Sequence, residues 1–352
     1  MRETMDNDII LTRSVSHDAW SDYVLSHPSG NIFHTPELFK VFLKTKYQTP
    51  DVLFALNHDR NILALLPTVT LASSKRLLSV FTKRNIAYGS LLASDDSQSK
   101  SAVEQLILYY LEQVSREKTI YTEFRNYHNL TNLRYLLINY RFIYFDYLNY
   151  LIQLELPAEN MLRRISRSTR KKIRKEMSKP VLEMISVDSA NMIPDCYRIL
   201  QSTYSRNRVP LADISLFITA FEELMPKGMI KITLARYRGL FIATSIDLLY
   251  KRTIYGWYGG SDRSYTRLLP NEMIMWHLLV WGAQNGYRWY DFGGAGRPNE
   301  KYGVRDFKAK FGGNLVNFGR FSCIHDVLRY QIGSAGYRTL RKFLSGKNKL
   351  LR

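Results

Sequence analysis

Tyr290-Asp291-Phe292-Gly293-Gly294-Ala295-Gly296, followed by Tyr302-Gly303-Val304-Arg305-Asp306-Phe307-Lys308-Ala309-Lys310-Phe311-Gly312-Gly313, is the most informative stretch of this chain. A short apolar strand runs into a glycine turn, and an isolated Phe-Lys pair follows within a few residues. Glycines at that density permit positive φ and let a ligand or a second backbone approach closely. Two readings are open. The turn is either part of a binding site, or Gly293 and Gly294 only lead a strand into a loop while Phe307 and Phe311 pack in a core.

Working outward, Asn271 to Gln284 reads as a helix that stops at Asn285-Gly286, just before the strand at 289–292. Upstream lie strands at 230–235, 240–249 and 253–258, helices at 188–206 and 216–224, a basic helix at 160–179 and a strand at 151–156. The first half carries a fainter version of the same order. Its pattern predicts helices at 16–25, 36–44 and 101–117, paired strands at 52–56 and 62–69, and a strand at 119–124. The expected class is α/β (α+β) with two mixed-sheet domains, residues 1–150 and 151–325, followed by a basic amphipathic tail over 326–352.

The chain has 352 residues, 45% hydrophobic and 13% aromatic, enough for two cores and unlike a disordered segment. Two cysteines, Cys196 and Cys323, are too few for a disulfide scaffold or a structural zinc site, so a reducing cytosol is expected. Residues 1–20 carry no secretory signal pattern, and no apolar run reaches the roughly 18 residues of a membrane span. A net charge of +19 points to a polyanionic partner: RNA, a nucleotide-linked substrate or an anionic membrane face.

Asp291-Phe292-Gly293-Gly294, a spacer, then Phe307-Lys308-x-x-Phe311-Gly312-Gly313 resembles the C-terminal signature of the FemABX-type peptidoglycan-bridge aminoacyltransferases, relatives of the GNAT acetyltransferases. Thr169 to Lys175 is similar to that family's basic helix, with Lys172 where asparagine is usual. Gln201 to Arg208 resembles a helix end whose arginine contacts substrate phosphate; Arg206 matches it and Arg208 is close behind. Tyr255 to Ser261 looks like the family's glycine-rich strand end, with Tyr258 on the substrate-facing position. The resemblance implies a tandem GNAT-like acyl-CoA N-acyltransferase fold. It also implies an acyltransferase joining an activated acyl or aminoacyl donor to an amine of a cell-envelope precursor, peptidoglycan or surface polysaccharide. Lys308, with Phe307, is then expected where donor meets acceptor, its ammonium stabilising the oxyanion of aminolysis.

Three features depart from the family. No sustained heptads supply its coiled-coil arm, the glycine-rich coenzyme A loop is missing, and Leu38 and Phe42 stand in its N-terminal lysine motif. The acyl donor is expected as a co-substrate, with no tightly bound cofactor and no metal. Aminoacyl-tRNA is favoured by the charge and the missing loop, acetyl-CoA by the missing arm. The alternatives are an acetyl-CoA-dependent N-acetyltransferase of envelope polysaccharide synthesis, or a non-catalytic basic protein that binds RNA or membrane.

Leu162, Ile165, Thr169 and Ile173 give the basic helix a buried stripe and leave Arg170, Lys171 and Arg174 displayed for phosphate. Arg263 and Arg267 precede a helix N-terminus, a natural anion site. Asp291, Gly293 and Gly294 are candidates for the substrate side, although Asp291 as a cap of its own turn is the stronger reading. His34 faces either a cleft or the core. Expected partners are a phosphorylated or lipid-linked envelope precursor, tRNA, and an anionic membrane touched from the cytoplasmic side.

Overall fold

The computed structural model describes residues 9–72 and 81–335, and these fold as two compact units. The first takes the chain up to Phe145 and resumes at Gly319; the second is Asp146–Phe318. Strands of the first unit are β1 (Ile10–Thr12), β2 (Gln48–Leu56), β3 (Ile62–Leu71), β4 (Arg84–Gly89), β5 (Leu92–Ala93), β6 (Tyr121–Asn126) and β7 (Ile143–Phe145). Its helices are α1 (His17–Ser26), α2 (Pro36–Leu43), α3 (Ser97–Arg116) and α4 (Thr131–Asn139). Local chemistry sets their ends: Ser16, Thr35 and Asp96 cap α1, α2 and α3 through side-chain oxygens, and Pro36 occupies the first turn of α2.

The second unit runs β8 (Leu148–Gln153), α5 (Ala158–Arg164), α6 (Arg167–Ser178), β9 (Glu183–Ser186), α7 (Ile193–Asn207), α8 (Ile214–Leu224), β10 (Ile230–Tyr237), β11 (Leu240–Tyr250), β12 (Thr253–Ser261), α9 (Pro270–Gln284), β13 (Trp289–Gly294), α10 (Gly303–Ala309) and β14 (Asn314–Asn317). β15 (Arg320–Ile324) then pairs antiparallel with β6 and β7. The sheets have orders β1-β2-β3-β4-β6-β15-β7, with β5 on β3, and β14-β8-β13-β12-β11-β10-β9. Each holds one parallel pair, β4 with β6 and β12 with β13, spanned by a long helix, α3 or α9. This is the repeat that residue identities conceal.

Two expectations change. The boundary expected at 325 places Arg320–Ile324 in the second domain, but those residues complete the first sheet, because Phe321 and Cys323 are buried in its core beside Phe124 and Phe142. The single basic helix expected over 160–179 is broken into α5 and α6. Ile165 is extended at the break, and the Ser166 N–H donates to the Lys310 carbonyl at 2.8 Å instead of continuing a helix. The expected stripe survives: Leu162, Ile165, Thr169 and Ile173 are all buried. The expected tail lies outside the described residues from 336 onward.

Candidate functional site

The parallel pair of the second unit is in register only through Thr253↔Trp289, Ile254↔Tyr290 and Tyr255↔Asp291. From Gly256 on, the β13-facing edge of β12 has no strand partner among the described residues. On its other edge β12 pairs with β11, with a bulge: Ile246 faces Tyr258, and Asp247 faces Gly256, leaving Trp257 as the extra residue. An open V results, one wall of which is a stretch of β12 that no longer ladders with β13. Peptide groups on such a wall suit an extended ligand chain or a carbonyl in need of N–H donors.

Lys308 closes the base of this V. It is 7% exposed, and its ammonium donates to the carbonyls of Phe292 (2.5 Å), Gly293 (3.2 Å) and Gly294 (2.8 Å). Three N–H groups meet three acceptors, so no donor is left for a substrate oxyanion. Burial lowers its pKa from 10.5 to about 8, with the Asp291 carboxylate acting against the shift. Three residues earlier on α10, Arg305 grips the next stretch, donating to the carbonyls of Ala295 (2.7 Å), Pro298 (3.0 Å) and Arg297. One turn of α10 therefore staples residues 292–298. The two sequence runs form a single interlocked structure, and the oxyanion role expected of Lys308 is replaced by that of a clamp.

Asp291 is buried and caps its own turn: Oδ1 accepts the Gly293 N–H at 2.6 Å, and Asn149 lies at 3.4 Å. Burial pushes its pKa up to about 6, opposed by the Gly293 N–H and Lys308. Its expected substrate contact gives way to a structural one, as does that of Gly293, whose φ of +67° makes the turn. Gly294 serves through its carbonyl on Lys308. The later glycine pair is equally structural. A Cβ on Gly312 would lie 2.6 Å from the Arg164 carbonyl oxygen, and one on Gly313 2.6 Å from that of Leu151. Phe311 is core, and half-buried Phe307 packs edge-on against it at 5.3 Å.

The other candidates lie on the walls. Thr203 of α7 bonds the Ser261 N–H at 3.1 Å, seating α7 on the end of β12; Arg206 falls one turn beyond, exposed and without an ion-pair partner among the described residues. Arg208 adopts a left-handed conformation, φ +55°, that ends α7. Tyr258 stands after the bulge against Phe217 (4.8 Å, edge-on) and Tyr204 (5.6 Å). Arg263 and Arg267 are exposed on a 3-10 turn leading to α9. That helix starts at Pro270 without a side-chain cap and carries Glu272, bound to Lys310 at 3.1 Å, in its first turn. On the basic helices, Arg174 is paired with Glu159 at 2.5 Å and Arg170 donates to the Arg163 carbonyl at 2.9 Å. Arg167, Lys171, Lys172 and Lys175 have no acid partner among the described residues.

One buried group was missed. Asp247, on β11 opposite the β12 bulge, accepts from Ser245 Oγ and from the Tyr290 hydroxyl, both at 2.7 Å. Burial pushes its pKa up to about 7 against those two bonds and the charge of Lys231. The Tyr290 hydroxyl fills the space where Gly256 lacks a side chain; a Cβ there would sit 2.6 Å away. A lone carboxylate among Ile246, Leu248 and Leu249 was the available signal. In the first unit the matching end of β4 is filled: Gly89 lies against Asn31 and His34, and buried His34 accepts the Asn31 N–H and meets the Ser90 carbonyl. His34 is a core histidine.

This arrangement of a parallel strand pair bridged by a long helix, present twice and splayed in the second unit, has counterparts among known proteins. Residues 162–308 match the acetyltransferase (GNAT) domain family. A structure of FemX superposes with TM-score 0.71 over 92% of this chain and 99% of that one, at 14% identity. The chain shares the fold of FemX. A tandem GNAT protein from the clavulanic acid biosynthesis pathway also aligns, with TM-score 0.57 over 90% of this chain and 99% of the other, at 6% identity. In sequence, the chain is 25% identical to a lipid II:glycine glycyltransferase of Staphylococcus saprophyticus over 162 residues, 44% of this chain and 38% of that protein. It thus spans under half the length of the curated relative it matches. Among the described residues no helix is long and apolar enough to cross a membrane, and no cluster of His, Cys, Asp and Glu would hold a metal ion.

Proposed function

We propose that the chain is an acyltransferase that forms an amide between an activated aminoacyl ester and an amine of a cell-envelope precursor, with aminoacyl-tRNA as donor. The observation that carries this reading is the parting of β12 from β13 beyond Tyr255, in a fold shared with FemX. In the proposed step the acceptor amine attacks the ester carbonyl, and the tetrahedral oxyanion takes hydrogen bonds from peptide N–H groups on that stretch of β12. The ester C–O bond then breaks and the amide forms; the tRNA ribose oxygen departs as a hydroxyl, taking a proton from water as the amine nitrogen gives one up to solvent. Arg206 and Arg208 bind phosphate of the acceptor, Tyr258 offers a ring face beside them, and Lys308 with Arg305 holds the opposite wall in place.

Two features favour tRNA over coenzyme A. Arg167, Lys171, Lys172 and Lys175 form an exposed cationic face on α6 suited to a nucleic acid backbone. Glu272 places a carboxylate in the first turn of α9, where the helix N-terminus would otherwise favour a pyrophosphate. Arg263 and Arg267 remain on the donor side of the proposal. The lipid II:glycine glycyltransferase similarity supports a lipid-linked peptidoglycan precursor as acceptor.

The test is transfer of label from glycyl-tRNA or from acetyl-CoA to purified peptidoglycan precursors, reading the mass gained by the acceptor. A gain of one aminoacyl residue from charged tRNA is expected. An acetyl gain would move the protein to the coenzyme A class, and no gain from either donor would overturn the proposal.

A further inference from the structure

The end of α7 is locked to the end of β12 by Thr203. Its Oγ1 accepts the Ser261 N–H at 3.1 Å and donates to the Ser261 carbonyl at 3.3 Å, and a Cβ on Gly260 would lie 2.5 Å from that same oxygen. Tyr204 follows directly. Its ring lies 5.6 Å from that of Tyr258, beyond the last pair of the parallel ladder, and Phe217 braces Tyr258 edge-on at 4.8 Å. On the other side of the V, just past the end of β13, Tyr302 lies over Gly296, where a Cβ would meet its ring at 3.0 Å. It comes near enough to Tyr204 for the two phenols to interact.

The hydroxyl of half-buried Tyr204 makes no hydrogen bond to any described residue. Burial pushes its pKa up to about 12, with Tyr302 adding to the shift, so the phenol keeps its proton at neutral pH. A ring held on its faces while its O–H is left over suits a partner that arrives with a ligand. Which ligand atom it meets follows from the other groups of the V. Lys308 gives all three N–H groups to carbonyls, and Asp291 spends Oδ1 on the Gly293 N–H. The donors that remain beside the parted strands are peptide N–H groups of β12 and the Tyr204 O–H. Donors of this kind fit an oxygen that gains negative charge.

We propose, resting on the amide-forming reading above, that the Tyr204 hydroxyl donates to the tetrahedral oxyanion, which makes Tyr204 a catalytic residue. As the amine lone pair adds to the carbonyl carbon, the π pair of the C=O moves onto oxygen, and that oxygen takes the Tyr204 O–H beside the β12 peptide N–H groups. The pair returns to the carbonyl when the bond to the leaving group breaks. The phenol keeps its proton throughout.

The experiment compares Tyr204→Phe with the wild-type chain in the transfer assay, using whichever donor, glycyl-tRNA or acetyl-CoA, the wild type accepts, with kcat and KM measured for both substrates. Phenylalanine keeps the ring on Tyr258 and removes only the hydroxyl. A fall in kcat on the order of 10²-fold is expected for the loss of one oxyanion donor, with KM for either substrate changed less than about two-fold. The melting temperature stays at the wild-type value, because the hydroxyl has no partner among the described residues. Wild-type kcat in Y204F would overturn the proposal and leave the amide-forming reading in place. So would a raised KM at unchanged kcat, which makes Tyr204 a group for ground-state binding. Lost activity together with a lowered melting temperature would assign the hydroxyl to the fold and overturn the proposal too. A wild-type chain that transfers from neither donor removes the amide-forming reading and the role of Tyr204 with it.

Discussion

Replacing Lys308 with methionine separates a clamp from a catalyst. Burial lowers the lysine pKa from 10.5 to about 8, a cost of about 3 kcal/mol for the charged form. Against it stand three charge-assisted hydrogen bonds to carbonyls, each worth roughly 1.5–3 kcal/mol. Methionine removes the cost and the bonds together and leaves the buried Gly293 carbonyl without its partner, so a net loss of about 2–3 kcal/mol is expected. The variant also changes pH dependence. Asp291 has a folded pKa of about 6, above its ordinary 3.8, so its contribution is fully present below 3.8 and lost as pH rises through the folded value. Without the neighbouring ammonium that value moves up, and stability goes on falling toward neutral pH. Lys308 works in the other direction: its penalty is relieved as pH rises from about 8 toward 10.5, a gain the variant lacks. Urea unfolding followed by circular dichroism across this range, beside the transfer assay, reads both effects. A variant that loses transfer while keeping wild-type stability and pH dependence would refute the clamp and return Lys308 to the oxyanion.

Tyr290→Phe removes the 2.7 Å donor to buried Asp247, and a loss of about 1–3 kcal/mol in urea titrations is expected, with the Asp247 pKa rising further. Lys171→Glu/Lys172→Glu should weaken tRNA binding and flatten its dependence on salt by about 1–2 in the log–log slope, measured by filter binding; an unchanged slope would take α6 out of the RNA contact. Burial holds His128 down to about 4, the charge of nearby His27 adding to it, so the first unit loses stability as pH falls from 6.5 through that value, on the order of 3 kcal/mol from this group. Histidine NMR titration checks it, and a normal titration midpoint for His128 would contradict the burial argument.

Features written in local pattern were legible in the amino-acid sequence. The Thr35-Pro36 helix start, the meander over 230–258, the buried stripe of Leu162, Ile165, Thr169 and Ile173, and the cations displayed around it all follow from caps and periodicity within a few residues. Asp291 as the cap of its own turn was readable for the same reason, since its partner Gly293 is two residues away. What the tertiary structure decided depends on groups far apart in the chain. The Lys310 carbonyl breaks the basic helix at Ser166, β15 returns to the first sheet to bury Phe321, and the parallel strands part after Tyr255. Most consequentially, the protons of Lys308 are taken by carbonyls some fifteen residues earlier. A lysine has the same chemistry in any sequence; whether its ammonium is free for a substrate or saturated by backbone is fixed only when the chain folds and a distant turn presents its oxygens.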